Sequence, residues 1–291
     1  MDQVFIPEAI LGLPRLSFED VHFIYYQQTH NYPKNRVIFH CNAISMVLHG
    51  VKEVYRFSEK TTIRSQEATL IPEGNSLIAE RTVGNDPYSS LVVLFSTQRV
   101  LALLDRLNDA KARATTGQGT SLKFHQNEYL RQYVQHMIQL IQKEPDLSPR
   151  LVLHKFEELL LVLVEQYPAP FFSVFRSPSG LGQVSLKNII ENNIMENLSL
   201  EELAFMVHKS LSSFKREFEK TYGVSPGKYI RERKLEIASK ELRLGKNASE
   251  LYLSYGYESV SNFIQAFKKK FGVTPKEFQV SIRVGNENLL S

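Results

Sequence analysis

Two copies of one residue pattern, offset by 49 positions, constrain the last third of this 291-residue chain more than any other feature does. In each copy two phenylalanines stand four residues apart, and a glycine follows the second of them after five residues. Aromatic residues at this spacing lie on one face of a helix, and glycine suits the left-handed residue just past a helix end. The copies are Phe214, Phe218 and Gly223, and then Phe263, Phe267 and Gly272. The sequence therefore predicts the same helix twice.

A shorter helix is predicted in front of each of these helices. A hydroxyl or amide residue with a glutamate three positions later marks a helix start, because the two side chains cap free backbone N–H groups. The pairs are Ser199 with Glu202 and Asn247 with Glu250. Two short helices joined by a tight turn form a helix-turn-helix, so each copy is predicted to be one such unit.

The second helices of the two units are predicted at about 211–222 and 259–271, with a longer amphipathic helix over 227–244 between them. The first 183 residues carry as many acidic as basic residues, so the whole formal excess of +4 lies beyond them. This asymmetry indicates a module for nucleic acid or another anionic surface. A tandem in one chain can place two helices in major-groove segments one helical turn apart, so the DNA site need not be palindromic.

Residues 185–282 resemble the DNA-binding domain of the AraC/XylS family of bacterial transcription regulators. The family's signature positions in the second unit are occupied by Ser259, Phe263, Phe267, Lys268, Phe271, Gly272 and Pro275. The resemblance implies a sequence-specific regulator that binds double-stranded DNA, most commonly as an activator, with RNA polymerase as a partner. Two residues depart from the family pattern: His208 stands where glycine is usual in the first turn, and Tyr252 stands where the second unit usually has alanine.

Polar side chains on the outward faces of the two second helices are the candidate DNA contacts. Arginine and lysine suit the acceptor edge of guanine, asparagine and glutamine pair with adenine, and lysine also neutralises phosphate. The candidates are Ser212, Lys215, Arg216 and Lys220 in the first unit, and Ser261, Asn262, Gln265, Lys268 and Lys269 in the second. An ordinary solvated helix face is the alternative interpretation.

The role of four further basic residues stays open. Lys270 is a candidate for phosphate contact, like the two lysines before it. On the linking helix, Arg231, Arg233 and Lys234 either touch the DNA backbone or belong to a solvated face.

The first half of the chain predicts strands and then helices. Runs of β-branched and aromatic residues separated by turn formers predict an antiparallel β-barrel over about 18–100. The predicted strands are 21–27, 36–41, 44–48, 53–57, 68–71 and 91–96. A helical period then predicts a hairpin of two helices over about 123–167. The family resemblance implies that such a barrel is cupin-like and that such helices dimerise; burial of the apolar second helix within its own domain is the alternative to a homodimer interface.

The predicted fold class is α+β with two domains. Residues 1–167 are the predicted regulatory and dimerisation domain, and the proline- and serine-containing stretch 168–183 is the predicted linker. Residues 184–284 are the predicted all-α DNA-binding domain, and 285–291 form a tail.

Two functions of the first domain stay open. In one, it binds a small-molecule effector that shifts the state of the DNA-binding domain. The candidate lining residues are Tyr25, Tyr26, Tyr55, Phe57 and Arg81. In the other, it binds a protein partner or a second copy of the chain. Aromatic residues lie in a core more often than around a ligand, so the sequence favours neither function.

No catalytic residue, metal site or cofactor is predicted, and the chain is not expected to be an enzyme. A metal-dependent cupin enzyme is the rival hypothesis, and it requires clustered histidines with a carboxylate. The histidines of the predicted barrel, His22, His30, His40 and His49, are scattered instead.

The longest uninterrupted apolar run, residues 159–164, is six residues long. A helix needs roughly 18 apolar residues to cross a bilayer, so no membrane contact is expected. The single cysteine, Cys41, cannot form an intramolecular disulfide, which fits a reducing cytoplasm. We therefore expect the protein in the cytoplasm.

Overall fold

The computed structural model describes residues 3–57, 59–107, 121–144, 146–176 and 186–287. The chain divides into two compact units, Met1–Val184 and Ser185–Ser291. Strands occur in the first unit and helices alone in the described part of the second, which confirms the predicted α+β class.

Two sheets form the β-rich part of the first unit. Its strands are β1 (Gln3–Ile6), β2 (Arg15–Phe18), β3 (Val21–Gln28), β4 (Tyr32–Phe39), β5 (Asn42–His49), β6 (Val51–Arg56), β7 (Glu59–Arg64), β8 (Glu67–Ile71), β9 (Gly74–Arg81), β10 (Tyr88–Phe95) and β11 (Leu122–His125). One sheet has the order β1-β4-β9-β6-β7 and the other the order β11-β8-β5-β10-β3-β2. Neighbouring strands run antiparallel, except that β1 pairs with β4 in parallel.

Strand β10 shows how the two sheets and the helices share one domain. Alternate side chains of a strand point to opposite faces. Val92 and Leu94 belong to a core that both sheets line, whereas Leu91, Val93 and Phe95 belong to a core that the helices also line. The β10 strand is therefore covered on both faces, which explains why its sequence is a continuous apolar run.

Helices cover the outer face of the second sheet. They are α1 (Thr97–Leu107), α2 (Glu128–Lys143), α3 (Pro149–Gln166) and α4 (Pro168–Arg176). Phe156 of α3 packs on Phe95 of β10, with ring centroids 5.0 Å apart. The predicted hairpin is present as α2 and α3, but residues 122–125 at its start form β11. Their side chains alternate between buried and exposed, the period of a strand, and they pair with β8.

The predicted linker 168–183 is wrong in its first half, because residues Pro168–Arg176 form α4. Phe171, Phe172 and Val174 of this helix are buried in the core under the second sheet. Proline is tolerated in the first turn of a helix, so the two prolines that suggested a linker do not prevent α4 from forming. The remaining positions of the predicted linker, 177–183, lie outside the described residues.

Within the described ranges, no single helix is long and apolar enough to cross a membrane. Helices α3 and α4 together reach the required length and composition, but the chain bends by 115° where they meet.

The second unit contains α5 (Leu186–Asn192), α6 (Leu200–Met206), α7 (Leu211–Tyr222), α8 (Pro226–Arg243), α9 (Ala248–Leu251), α10 (Val260–Phe271) and α11 (Pro275–Glu287). Both predicted second helices are confirmed, as α7 and α10, and the linking helix is confirmed as α8. Each second helix ends at a glycine in the left-handed conformation, Gly223 at φ 70° and Gly272 at φ 79°. The capping box at the start of α6 is complete, because Ser199 and Glu202 each accept a backbone N–H of the other.

The paired phenylalanines hold the helices of the second unit together. All four are buried, and the ring centroids of Phe263 and Phe267 lie 6.1 Å apart. Leu235, Ala238 and Leu242 of α8 belong to the same core as this second pair. Complete burial of one such side chain contributes about 1.5–3 kcal/mol to folding. The inward faces of α7 and α10 are thereby fixed, which leaves their opposite faces to the solvent.

Candidate nucleic-acid interface

Two helix faces carry the residues that the sequence predicted as DNA contacts. All nine side chains are exposed, on the opposite side of α7 and α10 from the buried phenylalanines. They are Ser212, Lys215, Arg216 and Lys220 on α7, and Ser261, Asn262, Gln265, Lys268 and Lys269 on α10. The structure thus places four of the predicted residues on the exposed face of α7 and five on the exposed face of α10.

Serine caps orient the first turn of both helices. The backbone N–H of Ser213 donates to Ser210 Oγ at 3.2 Å, and the backbone N–H of Asn262 donates to Ser259 Oγ at 3.2 Å. An N-cap that accepts such a bond satisfies one of the free N–H groups of a helix start. In helix-turn-helix proteins the N-terminal residues of the second helix are the ones that reach base edges. Ser212 and Asn262 lie in this position.

The cations on these two faces form no ion pair with the acidic residues that the structure describes. Within the described ranges, none of Lys215, Arg216, Lys220, Lys268 and Lys269 forms an ion pair. Exposed cations without an intramolecular partner are available to displace counterions from phosphates.

Other basic residues of the second unit are engaged inside the protein. Lys270 Nζ lies 2.8 Å from Glu236 Oε1, and Arg233 Nε lies 2.7 Å from Glu191 Oε1. Lys270 and then Arg233 hold the pKa of the Glu236 carboxyl below its usual range, despite partial burial. Lys270 and Arg233 are therefore less available for contact with the DNA backbone, because their charged groups already have carboxylate partners.

Lys234 also bonds within the protein, whereas the Arg231 side chain is exposed. The ammonium of Lys234 donates to Asn197 Oδ1 at 2.5 Å, and burial lowers its pKa. Arg231 is exposed on α8. Of the three cations predicted on the linking helix, Arg231 alone therefore keeps an exposed side chain.

The two positions that depart from the family pattern differ in backbone conformation. His208 occupies the left-handed region at φ 55°, which non-glycine residues adopt at a modest cost. Tyr252 is right-handed helical and packs on the core of the second unit. The regular part of the first helix spans seven residues in α6 and four in α9, which ends just before Tyr252.

A separate cavity of about 240 Å³ lies between the two sheets of the first unit. Its wall is mainly apolar, and six polar residues also line it: Tyr26, Gln28, Asn35, Ser45, Lys52 and Glu80. Lys52 Nζ lies 3.1 Å from Glu80 Oε1 and donates to Ser45 Oγ at 3.0 Å. Burial alone would lower the pKa of Lys52, but Tyr88 and Glu80 outweigh that effect and raise it. The cavity thus contains an ion pair between Lys52 and Glu80.

One of the five predicted effector residues, Tyr26, lines this cavity. Tyr55 and Arg81 instead contact the same carboxylate, Glu53, at 3.1 Å and 2.7 Å. Tyr25 packs against the core beneath the helices, and Phe57 is buried at a left-handed backbone position. Sequence reasoning missed Lys52 and Glu80, although a charged residue inside an apolar strand pattern signals a buried pair.

The histidines and the cysteine form no catalytic or metal-binding cluster in the described part of the chain, where no group of three or more His, Cys, Asp or Glu could hold a metal ion. His22 contacts Ser17 at 3.0 Å and His40 contacts Glu8 at 3.5 Å, at separate places. Cys41 lies between β4 and β5, and burial is the main factor that raises its pKa to about 12. The thiol is therefore protonated at neutral pH and is a poor nucleophile.

Comparison with known proteins matches both units. Residues 203–280 match the family model described as a helix-turn-helix domain, and residues 42–174 match the model described as the ExsA N-terminal regulatory domain. The virulence regulon transcriptional activator VirF of Yersinia enterocolitica is 28% identical over 162 residues, which are 55% of this chain and 59% of VirF. The chain thus matches about three-fifths of the length of that relative.

Two further comparisons differ in coverage. The multiple antibiotic resistance protein MarA of Escherichia coli K12 is 33% identical over 108 residues, which are 36% of this chain and 84% of MarA. The solved structure of ToxT from Vibrio cholerae aligns with a TM-score of 0.40 at 14% identity, covering 90% of this chain and 98% of that one. The match covers 84% of MarA at 33% identity, and the helix-turn-helix family model spans both helix-turn-helix units of this chain. The chain therefore belongs to the AraC family of transcription regulators.

Proposed function

We propose that this protein binds double-stranded DNA sequence-specifically, with α7 and α10 in two successive segments of the major groove. The observation that carries the proposal is the set of nine exposed polar side chains on the two helices, five of them cations without an acidic partner in the described ranges. A cation that is unpaired in the free protein can neutralise phosphate without first breaking an internal ion pair.

The side chains divide into two roles. Arg216 and Lys215 read guanine through its acceptor edge, and Asn262 and Gln265 read adenine through paired hydrogen bonds. Lys220, Lys268 and Lys269 neutralise phosphates, and Ser212 and Ser261 bond to bases or phosphates. These assignments follow from the chemistry of each side chain and from its exposure on α7 or α10.

A binding titration tests the proposal directly. The full chain is titrated with duplexes selected from a random pool and with an unselected control duplex, at two salt concentrations. We expect one selected, asymmetric sequence to bind at least 10³-fold more tightly than the control, with an affinity that falls steeply with salt. Equal affinity for the selected and control duplexes would exclude sequence-specific binding.

We further propose that the protein activates transcription in the bacterial cytoplasm, in contact with RNA polymerase. VirF is named as a transcriptional activator, and the matched families are regulators of transcription rather than enzymes. A reporter gene downstream of the selected site tests this proposal. Higher reporter output with the intact protein than with Arg216→Ala supports activation, and lower output indicates repression.

For the first unit we propose binding of a small effector in the cavity between the sheets. The paired charges of Lys52 and Glu80 offset each other, so the site suits an uncharged, largely apolar molecule with one or two polar groups. A library of such molecules is tested by the thermal shift of the full chain and of a Tyr26→Ala variant. A ligand that stabilises both proteins equally does not bind there.

Regulation by a protein partner or by a homodimer through α2 and α3 is the second candidate. Tyr129 of α2 and Leu151 of α3 are each 49% exposed, which is the observation that favours it. Sedimentation of the full chain and of a Leu151→Glu variant distinguishes a dimer that uses this surface from a monomer.

A further inference from the structure

A continuous series of side-chain contacts joins the two DNA-facing helices through the linking helix α8. On the first side, the ring of Tyr229 on α8 packs edge-on against Phe218 of α7, with centroids 5.6 Å apart. The hydroxyl of Tyr229 donates to the carboxylate of Glu191 on α5. Tyr229 therefore connects the core of the first helix-turn-helix to a carboxylate beside α8.

Arg233 holds that carboxylate in a two-pronged pair. Its Nε lies 2.7 Å from Glu191 Oε1 and its Nη2 lies 2.9 Å from Glu191 Oε2. A bidentate pair of this kind fixes direction as well as distance, because two parallel N–H groups must face two oxygens at once. The third guanidinium nitrogen of Arg233 donates to Glu236, one turn further along α8.

Glu236 carries the connection to the second DNA-facing helix. Lys270 of α10 donates to Glu236 Oε1 at 2.8 Å and to the backbone oxygen of Glu232 at 2.8 Å. An ammonium that bonds to both a side chain and the backbone of α8 cannot slide along that helix without losing a bond. Helix α8 thus contacts α7 through Tyr229 and α10 through Glu236, and Arg233 joins Glu191, the partner of Tyr229, to Glu236.

Lys270 differs from its neighbours although the sequence presents three consecutive lysines. Lys268 and Lys269 are exposed on the DNA-facing side of α10, whereas the Lys270 side chain is only 18% exposed and turns towards α8. Successive residues of a helix are rotated by about 100° from one another, so three consecutive lysines cannot share one face. The third lysine contacts the protein, and the first two face the solvent.

The separation and angle between two helices determine which DNA spacing they fit. B-DNA completes a turn in about 10–10.5 bp, so one added base pair rotates the next groove segment by about 35° and shifts it by about 3.4 Å. A rigid connection between α7 and α10 rejects such a change, and a loose connection accommodates it. The bases at each half-site, by which we mean the segment under one helix, are read independently of this spacing.

We propose that Arg233, Glu236 and Lys270 are positioning residues that fix α10 relative to α7 and thereby select the spacing between the two half-sites. This inference rests on the proposed function, since it presupposes that both helices enter the same DNA site. It assigns to Lys270 a role in spacing selectivity, in place of the phosphate contact that its position in a run of lysines suggests.

The ionisation of the carboxylates supports this role. Hydrogen bonds from Arg233 lower the pKa of Glu191, and those from Lys270 and Arg233 lower the pKa of Glu236. Both carboxylates are therefore charged at neutral pH, as the series of ion pairs requires.

The test compares Lys270→Ala with Lys269→Ala in the full chain. The two variants lose the same charge from adjacent positions of α10, so they differ only in whether the lysine contacts α8. Affinities are measured for the selected site, for sites whose central spacer is one or two base pairs longer or shorter, and at two salt concentrations.

For wild type we expect the selected spacing to be bound most tightly. In Lys270→Ala the ratio between the selected and the altered spacings should fall by roughly two- to fivefold, the range expected for partly exposed ion pairs, with an unchanged salt slope. In Lys269→Ala affinity should fall by the same factor at every spacing, and the salt slope should decrease by about 1. Lys270→Arg, which retains a donor towards Glu236, should keep the wild-type ratio.

Glu236→Gln provides a readout of opposite sign. This variant removes an acidic group, so general affinity for DNA should rise, whereas selectivity for spacing should fall as it does in Lys270→Ala. A simple electrostatic contribution of Lys270 or Glu236 would change affinity without changing the spacing ratio.

The outcomes separate this inference from the proposed function. A wild-type protein that prefers one spacing, together with a Lys270→Ala variant that keeps the preference and loses salt slope, overturns the positioning role and leaves sequence-specific binding intact. A wild-type protein that binds its selected site at every spacing alike also overturns the positioning role alone. A wild-type protein that does not distinguish selected from control duplexes overturns both.

Discussion

The two helix-turn-helix units use the same inward residues and different outward ones. Each second helix has a serine N-cap, a buried pair of phenylalanines and a glycine C-cap. Outward, α7 carries three basic and two acidic residues, whereas α10 carries two basic residues, Lys268 and Lys269, and no acidic one. The comparison indicates that the core requires the same residues in both units, whereas the DNA-facing side is free to differ.

The turns of the two helix-turn-helix units differ in length by one residue. The left-handed turn residues His208 and Gly256 are 48 positions apart, whereas the N-caps Ser210 and Ser259 that follow them are 49 positions apart. The second unit therefore has one more residue between its turn and its DNA-facing helix. Its first helix is also shorter, with four regular residues against seven. In the second helix-turn-helix the segment between the first helix and the second is therefore longer and less of it is helical.

The largest expected effect tests whether the inward residues are equivalent. Phe218→Ala and Phe267→Ala each remove a fully buried ring, so each should lower the free energy of unfolding by about 3–5 kcal/mol. Calorimetry of the full chain measures the change. If α8 makes the two helix-turn-helix units unfold cooperatively, both variants lower the temperature of one shared unfolding transition. Two separate transitions, each shifted by only one of the variants, would show that the units unfold independently.

A matched substitution controls for this experiment. Leu244 is 83% exposed at the end of α8, so Leu244→Ala should change the free energy of unfolding by less than about 0.5 kcal/mol. A similar loss in Leu244→Ala and in the two phenylalanine variants would contradict the assignment of the core.

The next effect concerns the outward residues. Arg216→Ala should weaken binding to the selected site by about 1–3 kcal/mol and relax the preference at one base position, because arginine reads a base edge. Lys268→Ala should weaken binding to all sequences alike and decrease the salt slope by about 1, because lysine neutralises phosphate. Titrations against single-base variants of the site measure both effects. Unchanged affinity and salt slope in both variants would refute the assignment of these contacts.

A smaller effect tests the difference between the turns. Gly256 has φ 79°, and a Cβ added there would lie 3.2 Å from Asn197 Oδ1, so Gly256→Ala should cost about 1–2 kcal/mol of stability. His208→Gly relieves a left-handed side chain but frees the unfolded chain, so its net effect should stay within about 1 kcal/mol. Chemical denaturation measures both. An equal loss of the free energy of unfolding in the two variants would mean that the two turns are energetically equivalent.

The sequence predicted the helices of the compact unit Ser185–Ser291 well, because the signals for them are local. Caps such as Ser199 with Glu202 and the four-residue spacing of the phenylalanines each define a helix within one or two turns. The unit Met1–Val184 depends on pairing between distant strands, and five of its strands were not predicted: β1, β2, β7, β9 and β11. In β9 the inward Glu80, paired with Lys52 of β6, interrupts the alternation by which a strand is recognised. The hydrophobic pattern alone cannot identify the residue on another strand that pairs with such a buried charge.

The candidate site shows the same limit. A helical wheel places Arg216 and Lys268 outward correctly, because the position of a residue on its own helix is a local property. The partners that Lys270 and Arg233 have on other helices are Glu236 and Glu191, which lie 34 and 42 residues away in the sequence. No spacing within one helix could reveal these pairs. The exposed position of these cations was therefore predictable, and the ion pairs that join the helices were not.

The smallest expected effect is a pH dependence confined to the connection between the units. The pKa of Glu236 is lowered in the folded protein, so its contribution to stability is present above the usual glutamate pKa and is lost as pH falls through the lowered value. Because Glu236 is 40% exposed, solvent screening limits this contribution to less than about 1 kcal/mol. Thermal unfolding of wild type and Glu236→Gln from pH 7 to about pH 3 should show a difference that vanishes in acid. On α7, Glu219 has no ion-pair partner in the described ranges, so Glu219→Gln is the control for removing an acidic group that joins no helices. A constant difference for Glu236→Gln would mean that its carboxylate does not stabilise the connection.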